Sequence, residues 1–240
     1  MISVKNIETF NFKNAVIGMR NAFESWSKSD SFLCKGVLFD DCKSNCDECP
    51  RCDESFDYDI YCIGKDDLYL MHKLINGGSP HDKFMRQILC SMQITAPLYW
   101  WKEFDTYKVA TVANSTSTMH MLHKRPILFS DFSFDNDLKG EDLEIAQNTI
   151  KNLLGYLNEL REKYIETKDL YERDNPYWRM LIQLLPDSYN QMRMWTGNYL
   201  TLREMYKWRK RHRLSEWVEF SEIIKNNCPY GKELIAYGLD

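Results

Sequence analysis

Asn198 and Arg209 are two polar residues within an otherwise apolar helical pattern. They are eleven positions apart. Because an α-helix turns by about 100° and rises by about 1.5 Å per residue, this spacing predicts both side chains on one helix face, about 16 Å apart along the axis. Leu202, Met205 and Tyr206 recur between them at helical spacing. A polar pair on such a face needs a partner, and the span is about the reach of a nucleotide.

Positive charge is concentrated around Arg209. The segment KWRKRHR, residues 207–213, has six basic side chains in seven positions when His212 is included. The whole chain nevertheless has a formal net charge of -4, which argues against a general nucleic-acid binder. We therefore expect a small anion as the partner of this segment and no nucleic acid.

A second group of chemically capable residues is formed by cysteines. Cys42, Cys46, Cys49 and Cys52 are separated by three, two and two residues. Such short gaps bring thiolates together on one tetrahedral ion, so in a reducing compartment this spacing favours a structural zinc site. An iron-sulfur cluster, unligated thiols and disulfides remain alternatives.

The composition predicts one globular domain spanning residues 1–240, with a Cys-rich insertion at residues 34–62. The 240 residues are 44% hydrophobic and 14% aromatic, which is enough for one substantial core. No run approaches the roughly 18 to 20 apolar residues that span a bilayer, and the first residues lack an apolar signal core. We expect a cytoplasmic protein that has no membrane partner.

Periodicity predicts an α/β fold. A short strand is expected at residues 2–4 and an extended segment at 109–119. Apolar spacing favours helices over residues 13–26, 65–75, 81–92 and 141–168, and over most of the C-terminal third up to residue 226. The aromatic set is expected in the core rather than as a flavin platform; it comprises Tyr99, Trp100, Trp101, Phe104 and Trp195.

Four segments, in order, resemble the flavin-dependent thymidylate synthase family outside residues 34–62. They are NAFESWSKSD, DDLYLMHKLINGGSP, APLYWWKEFDTYKVATVANSTSTM and LLPDSYNQMRMWTGNYLTLREMYKWR. The third lies over the family signature Arg-His-Arg-x-x-Ser-x-Asn-Glu-x-Ser-x-Arg-Tyr. Thr106, Tyr107 and Lys108 occupy its Arg-His-Arg positions, so only Lys108 keeps a positive charge. Thr111 and Thr116 replace the two serines and keep a hydroxyl.

The fourth segment resembles the family's Leu-Pro turn and following long helix more closely. Asn198 and Arg209 are identical to the family residues, whereas Leu200 replaces an arginine. A further family arginine corresponds to Ile182, beside Gln183. Hydrogen bonds to charged groups contribute about 1.5 to 3 kcal/mol each, so losing two phosphate-binding arginines corresponds to roughly a hundred- to ten-thousand-fold in affinity.

The resemblance implies a mixed sheet flanked by long helices and a homotetramer. It also implies reductive methylation of dUMP, or a related pyrimidine nucleotide, with hydride from reduced FAD and carbon from methylenetetrahydrofolate. The family reaction needs no protein nucleophile, so the protein acts by positioning the reactants and by electrostatic stabilisation. Neither Cys90 nor Cys228 has sequence support as a nucleophile.

Site residues follow from the same resemblance. Arg209 is expected to be catalytic by holding the pyrimidine or its developing negative charge. The expected cofactor-binding residues are Lys108, Thr111, Asn198 and His212. The expected substrate-binding residues are Asn114, Thr116, Ser117, Gln183 and Arg209.

Two other interpretations of the sequence remain open besides an enzyme of this type. One is a non-catalytic nucleotide- or flavin-binding homologue that kept the scaffold and lost the signature. The other is a metal-stapled interaction protein whose working surface is the Cys-rich insertion.

Overall fold

The computed structural model describes residues 2–34, 60–134, 137–171 and 173–240. Four of its strands form one sheet in the order β1-β4-β6-β5, and β2 pairs with β3 in a separate two-stranded sheet. The strands are β1 (Ser3–Phe10), β2 (Phe32–Cys34), β3 (Ile60–Cys62), β4 (Leu89–Pro97), β5 (Val112–Ser115) and β6 (Asn190–Asn198).

Eight α-helices are present in the described part of the chain. They are α1 (Phe12–Arg20), α2 (Lys65–Asn76), α3 (Leu98–Phe104), α4 (Thr118–Met121), α5 (Glu141–Thr167), α6 (Pro176–Leu184), α7 (Tyr199–Arg209) and α8 (Ser215–Asn227). None of them is long and apolar enough to cross a membrane.

The described residues form two compact units. Unit 1 contains the described residues of 1–6, 92–195 and 213–220, and unit 2 contains those of 7–91, 196–212 and 221–240. The strand and helix content confirms the predicted α/β class.

Two predicted helices are wrong because the chain forms strands there. In place of a helix at 81–92, a 3-10 turn at His81–Arg86 leads into β4. Side chains along β4 alternate between buried and partly exposed, with Cys90, Met92, Ile94 and Ala96 buried. This period of two is the pattern of a strand that packs on one face. Likewise, β6 occupies residues 190–198, where a helical stripe was expected.

Helices with long periodic patterns are confirmed. The predicted helices at 65–75 and 141–168 correspond to α2 and α5. Glu141, Asp142 and Glu144 lie in the first turn of α5, where carboxylates favour the positive end of the helix dipole. The helix predicted at 13–26 is shorter, because α1 ends at Arg20 and 3-10 turns follow.

Unit 1 has an aromatic core. The rings of Trp100 and Trp217 are 4.6 Å apart, and those of Trp100 and Phe104 are 4.8 Å apart. Four of the five predicted core aromatics, Trp100, Trp101, Phe104 and Trp195, are at most 3% exposed. They are therefore core residues, as the sequence predicted.

A helical hairpin forms the second core of unit 1. Asn175 caps α6, its side-chain oxygen accepting from the backbone N–H groups of Tyr177 and Trp178, and Pro176 occupies the first turn. This is a favourable start for a helix, because the cap pairs otherwise unsatisfied donors. Between α5, α6 and the loop before them lies an apolar cluster of Leu122, Ile127, Phe132, Leu157, Leu160 and Leu181.

Asn158 fixes the loop of residues 122–131 against α5. Its side-chain oxygen accepts from the backbone N–H of Ile127 at 2.8 Å, and its amide nitrogen donates to the carbonyl of Ile127 at 2.9 Å. Ile127 is only 3% exposed, so its backbone groups are sheltered from competing water. Hydrogen bonds in such a setting are strong, and losing them is costly.

Unit 2 contains a buried ion pair between Arg20 and Asp67. The guanidinium Nε of Arg20 donates to Oδ1 of Asp67 at 2.6 Å, and the carboxylate also accepts from the hydroxyls of Ser29 and Ser31. Asp67 is completely buried. Burial alone raises the pKa of Asp67, but the hydrogen bonds from both serines and Arg20 outweigh it, so this pKa lies below its usual value.

The strands β2 and β3 bracket the Cys-rich insertion. They pair antiparallel, with Cys34 opposite Ile60 and Phe32 opposite Cys62. The proposed zinc ligands Cys42, Cys46, Cys49 and Cys52 lie outside the described residues. Within the described ranges, no group of three or more His, Cys, Asp or Glu side chains is arranged to hold a metal ion. Zinc therefore stays a prediction from spacing.

The Asp67→Asn substitution is predicted to lower the free energy of unfolding at pH 7 by about 3 to 5 kcal/mol, because it leaves Arg20 buried without its counterion. A lowered carboxyl pKa gives stability that is present above the unfolded pKa of about 3.9 and is lost as the pH falls through the folded value. Denaturant unfolding from pH 7 to pH 2 should therefore show a shallower loss of stability in the variant. Asp66→Asn, at an exposed neighbour, is the control; equal pH slopes in both variants would contradict the prediction.

Substituting Asn158→Ala is predicted to lower the free energy of unfolding by about 2 kcal/mol, since two sheltered backbone groups of Ile127 lose their partner. Asn148→Ala, on an exposed turn of α5, should be neutral or slightly stabilising because alanine favours helix. Thermal and denaturant unfolding of both variants measure the difference. Similar stabilities for the two would show that Asn158 does not fix the loop.

Candidate functional site

A hollow of about 450 Å³ opens in unit 1 beside the loop that Asn158 fixes. Its volume is in the usual range for small-molecule sites. The lining residues are Thr95, Thr116, Met121, Leu122, Lys124, Arg125, Pro126, Ile127, Ser130, Asp131, Tyr189, Asn190 and Met192.

One wall of the hollow is built where β5 ends next to β6. The backbone N–H of Thr116 donates to the carbonyl of Met192 at 2.9 Å, and the side-chain amide of Gln191 donates to the carbonyl of Thr116 at 3.0 Å. Ser117 follows and caps α4, its hydroxyl oxygen accepting from the backbone N–H of His120. The strand pairing thus places the Thr116 side chain at the hollow.

The rim of the hollow carries an ion pair. Arg125 donates two hydrogen bonds to the carboxylate of Asp131, at 2.8 and 2.6 Å, in the bidentate geometry that suits a guanidinium. Asp131 also accepts from the backbone N–H of Leu128 at 2.8 Å. Burial raises the pKa of Asp131, but the hydrogen bonds from Arg125 and Leu128 outweigh it and hold this pKa below its usual value. Both members of the pair are therefore charged, and the net charge of the pair is zero.

Lys124 gives the hollow its net positive charge. Its side chain is exposed and lies next in sequence to the neutral Arg125–Asp131 pair. An ammonium on a flexible stem can meet a phosphate as a point charge. The hollow therefore favours a ligand with a negatively charged group.

Neutral polar groups and apolar side chains complete the lining. Burial raises the pKa of Tyr189, and the negative charge of Asp131 adds to this, so the phenol stays protonated and can donate. The side-chain oxygen of Asn190 accepts from the hydroxyl of Ser133 at 2.8 Å, which fixes the amide plane. An amide can offer both a donor and an acceptor to a ligand. Met121 and Ile127 are among the apolar groups that a planar ring could contact.

Of the residues that the sequence predicted in unit 1, Thr116 alone is among those lining the hollow. Lys108 is exposed, and its carbonyl accepts from the backbone N–H of Thr111 at 3.3 Å. Asn114 and Gln183 are also exposed. Ser117 lies directly beside Thr116 but uses its hydroxyl oxygen as a helix cap.

The predicted helix face carrying both Asn198 and Arg209 is not formed. Asn198 is extended (φ -134°, ψ 166°) and precedes α7, whose first residue is Tyr199. Its side-chain oxygen accepts from the backbone N–H of Thr201 at 3.0 Å, so the buried amide acts as a helix cap. The geometric reason is that β6 continues to Asn198, so the helix starts one residue later than the spacing argument needed.

Arg209 and His212 lie together in unit 2. The Arg209 guanidinium contacts Nε2 of His212 at 2.9 Å. The stripe predicted between Asn198 and Arg209 is confirmed, because Leu202, Met205 and Tyr206 are at most 1% exposed. Of the basic segment, Lys207 and Arg209 lie in the last turn of α7, and the other basic residues follow the helix.

Sequence reasoning missed most residues of the hollow. Lys124, Arg125 and Asp131 belong to a segment without helical or strand periodicity, part of which was expected to be only a connector. Tyr189 and Asn190 precede or begin a strand that had been predicted as helix. The useful signal was the Arg–Pro pair at 125–126, since proline restricts the preceding residue to extended backbone and marks a shaped loop.

The positions that resemble the family's Arg-His-Arg have local partners. The hydroxyl of Thr106 donates to the carbonyl of Glu103 at 2.7 Å, and the Tyr107 ring lies 6.1 Å from that of Trp217. Both residues lie in the 3-10 turn that follows α3. Among the three positions, Lys108 alone offers a cation to solvent.

The two described thiols considered as nucleophiles are buried. Cys90 is 0% and Cys228 is 4% exposed. A hydrogen bond with Cys228 and burial both raise the pKa of Cys90 well above its usual value. Since the thiolate is the nucleophile, a protonated Cys90 is unsuited to attack, which agrees with the sequence interpretation.

Comparison with known proteins identifies the fold. A crystal structure of thymidylate synthase X (ThyX) from Helicobacter pylori with FAD and dUMP is 12% identical, with a TM-score of 0.61 over 98% of this chain and 97% of that chain. A second structure of that flavin-dependent enzyme, complexed with FAD and dUMP, is 13% identical, with a TM-score of 0.60 over 99% and 98%. No protein family model and no curated protein matches the sequence. The chain therefore shares the ThyX fold over nearly its full length.

Proposed function

We propose that this protein binds a pyrimidine nucleoside monophosphate, such as dUMP, in the hollow of unit 1. The observation that carries the proposal is that the hollow, on a fold shared with dUMP-bound ThyX, combines a cation, an oriented amide and apolar side chains. The expected ligand class from sequence was the same, although the residues expected to bind it were largely different.

The lining suggests a division of roles. Lys124 faces the phosphate as a point charge, and the protonated hydroxyl of Tyr189 donates to its oxygens or to the sugar. The Thr116 hydroxyl donates to the carbonyl of Met192 at 3.3 Å, so toward the sugar its oxygen accepts. Asn190 pairs with the ring edge through its amide. The Arg125–Asp131 pair stays intact and shapes the rim, because the carboxylate is only 14% exposed and its two hydrogen bonds from the guanidinium are charge-assisted.

The described residues do not match a flavin pyrophosphate site of the kind that the resemblance implied. Two of the three positions corresponding to Arg-His-Arg are neutral and locally engaged, and the side-chain oxygen of Asn198 serves α7. Lys108 is a single cation, which is too little to bind a pyrophosphate that has two negative charges. These positions therefore favour nucleotide binding over flavin chemistry.

Reductive methylation of dUMP with FAD and methylenetetrahydrofolate is the second candidate. The FAD and dUMP present in both ThyX structures favour it. In that function Arg209, beside His212, keeps its expected role of holding the pyrimidine, and a homotetramer remains the expected assembly.

Flavin content separates the two candidates. A purified protein that releases FAD on denaturation, and forms dTMP from dUMP with methylenetetrahydrofolate and NADPH, would establish the enzyme. A colourless protein that takes up no added FAD, binds dUMP and does not rescue a thymidine auxotroph despite good expression would establish the nucleotide binder.

Calorimetric titration with dUMP tests the hollow. The Lys124→Gln variant is predicted to bind dUMP about tenfold more weakly, since one charge-assisted contact to phosphate contributes about 1.5 kcal/mol. Its affinity for deoxyuridine, which has no phosphate, should be unchanged. Lys151→Gln, an exposed change on α5, is the matched control. Equal dUMP affinities for the two variants would remove Lys124 from the site.

A further inference from the structure

Thr116, which lines the hollow, directly follows the edge strand β5. This strand lies at one end of the four-stranded sheet, next to β6, and its four residues are all exposed. Thr116 is exposed as well. A segment with few buried apolar contacts gains little from packing and opens easily. The position of Thr116 therefore depends on its hydrogen bonds to β6.

Both the backbone and the side chain of Thr116 are bonded to β6. The backbone N–H of Thr116 donates to the carbonyl of Met192 at 2.9 Å, and its hydroxyl donates to the same carbonyl at 3.3 Å. The carbonyl of Thr116 accepts from the side-chain amide of Gln191 at 3.0 Å. Because the hydroxyl contact is long for an O–H···O bond, the Gln191 amide is the stronger side-chain contact of this residue.

Arg193 sets the orientation of the Gln191 amide. The guanidinium Nε of Arg193 donates to Oε1 of Gln191 at 3.0 Å. A guanidinium N–H can only donate and a carbonyl can only accept, so a single orientation of the amide satisfies both of these neighbours. With the amide reversed, two donors would face each other at Arg193 and two acceptors at Thr116. The amide nitrogen of Gln191 is therefore directed at Thr116.

Arg193 is itself held against the aromatic core of unit 1. Its guanidinium carbon lies 4.2 Å from the ring centroid of Trp101, and Nη1 donates to Oδ1 of Asp105 at 2.8 Å. The Arg193 side chain is only 16% exposed. The indole N–H of Trp101 also donates to the backbone carbonyl of Gln191 at 3.0 Å. A planar guanidinium that is stacked on a ring and bonded at two nitrogens has little freedom, so it is a rigid support for Gln191.

The two faces of β6 have different tasks. Successive side chains of a strand point to opposite faces, so Gln191 and Arg193 share one face, and Asn190 and Met192 share the other. Asn190 and Met192 are among the residues that line the hollow, whereas Gln191 and Arg193 are not. A change at Gln191 therefore reaches a ligand through the wall that this residue supports.

We infer that Gln191 and Arg193 are positioning residues that hold Thr116 so that its hydroxyl oxygen accepts from the sugar hydroxyl of dUMP. The inference rests on the proposed nucleotide binding. Because the Thr116 hydroxyl hydrogen is directed at Met192, the Thr116 oxygen needs a donor. The phosphate oxygens of an ionised nucleotide only accept, whereas the sugar hydroxyl can donate. Thr116 thus selects for the sugar, and Gln191 determines how well it does so.

Calorimetric titration of the full-length protein with dUMP and with its dideoxy analogue, which lacks the sugar hydroxyl, tests the inference. The wild type is predicted to prefer dUMP about fivefold, as expected for one neutral hydrogen bond. Gln191→Glu keeps an acceptor for Arg193 but has no donor for the Thr116 carbonyl, so this preference should be lost, as it should be in Thr116→Val. Both ligands have the phosphate, so the effect of the added negative charge cancels in the ratio of the two affinities.

Gln147→Glu is the matched control, because it makes the same chemical change at an exposed position of α5 and should keep the preference. Arg193→Lys is a second variant in case Gln191→Glu is unstable. Lysine keeps a cation for Asp105 but lacks the fork that also holds Gln191, so the preference for dUMP should fall.

A wild type that binds dUMP and the dideoxy analogue equally, or a Gln191→Glu variant that keeps the full preference, would overturn the inference while leaving nucleotide binding intact. A wild type that binds neither ligand would overturn the proposed function and this inference with it. Amide hydrogen exchange without ligand adds an independent measurement, since the Thr116 N–H should exchange faster in Gln191→Glu than in Gln147→Glu. Equal exchange in the two variants would show that Gln191 does not hold Thr116.

Discussion

The pairing of the Asn158 side chain with both backbone groups of Ile127 is the constraint on which the functional part of unit 1 depends. Loops seldom have the regular backbone hydrogen bonds of helices and sheets. In this loop, the Asn158 side chain on α5 provides hydrogen bonds in their place. Because Leu122 and Ile127 are also buried in the helical hairpin core, the backbone between them has little freedom. The side chains of residues 123–125 therefore point in fixed directions.

That short segment supplies two different environments. Lys124 and Arg125 line the hollow, whereas His123 packs against Tyr164 and Trp178. The charge of Arg125 is neutralised by Asp131, so this ion pair shapes the rim of the hollow and adds no net charge to it. This arrangement favours a ligand with one anionic group and a flat ring over a highly charged polymer. It also agrees with the chain's overall acidic balance, which argued against nucleic acid.

The sequence predicted those parts of the fold whose signals are local and long. The periodicity of α5 extends over 27 residues, and the burial of Leu202, Met205 and Tyr206 follows directly from their spacing. The secondary-structure prediction was wrong at β4 and β6. Methionine and tryptophan there fit either helical or strand periodicity, and which of the two forms depends on sheet partners that are distant in sequence. The resemblance predicted the fold correctly although most residues at its signature positions differ, because the fold depends on core patterning and the function depends on the residues of a site.

The candidate site was harder to predict than the fold. Thr116 was found because it retains a hydroxyl at a recognised position, whereas Lys124, Tyr189 and Asn190 meet only through tertiary contacts. The predicted helix face was wrong by one residue of register, since β6 continues to Asn198 and this residue caps α7 instead of lying within it. Its role as a cofactor ligand stays a prediction.

A crystal structure of the protein with dUMP bound tests the central claim most directly. We predict that the nucleotide occupies the hollow, with its phosphate within hydrogen-bonding reach of Lys124 and its ring edge on Asn190. Nucleotide bound instead at Arg209 and His212, with the hollow of unit 1 filled by solvent, would contradict the account.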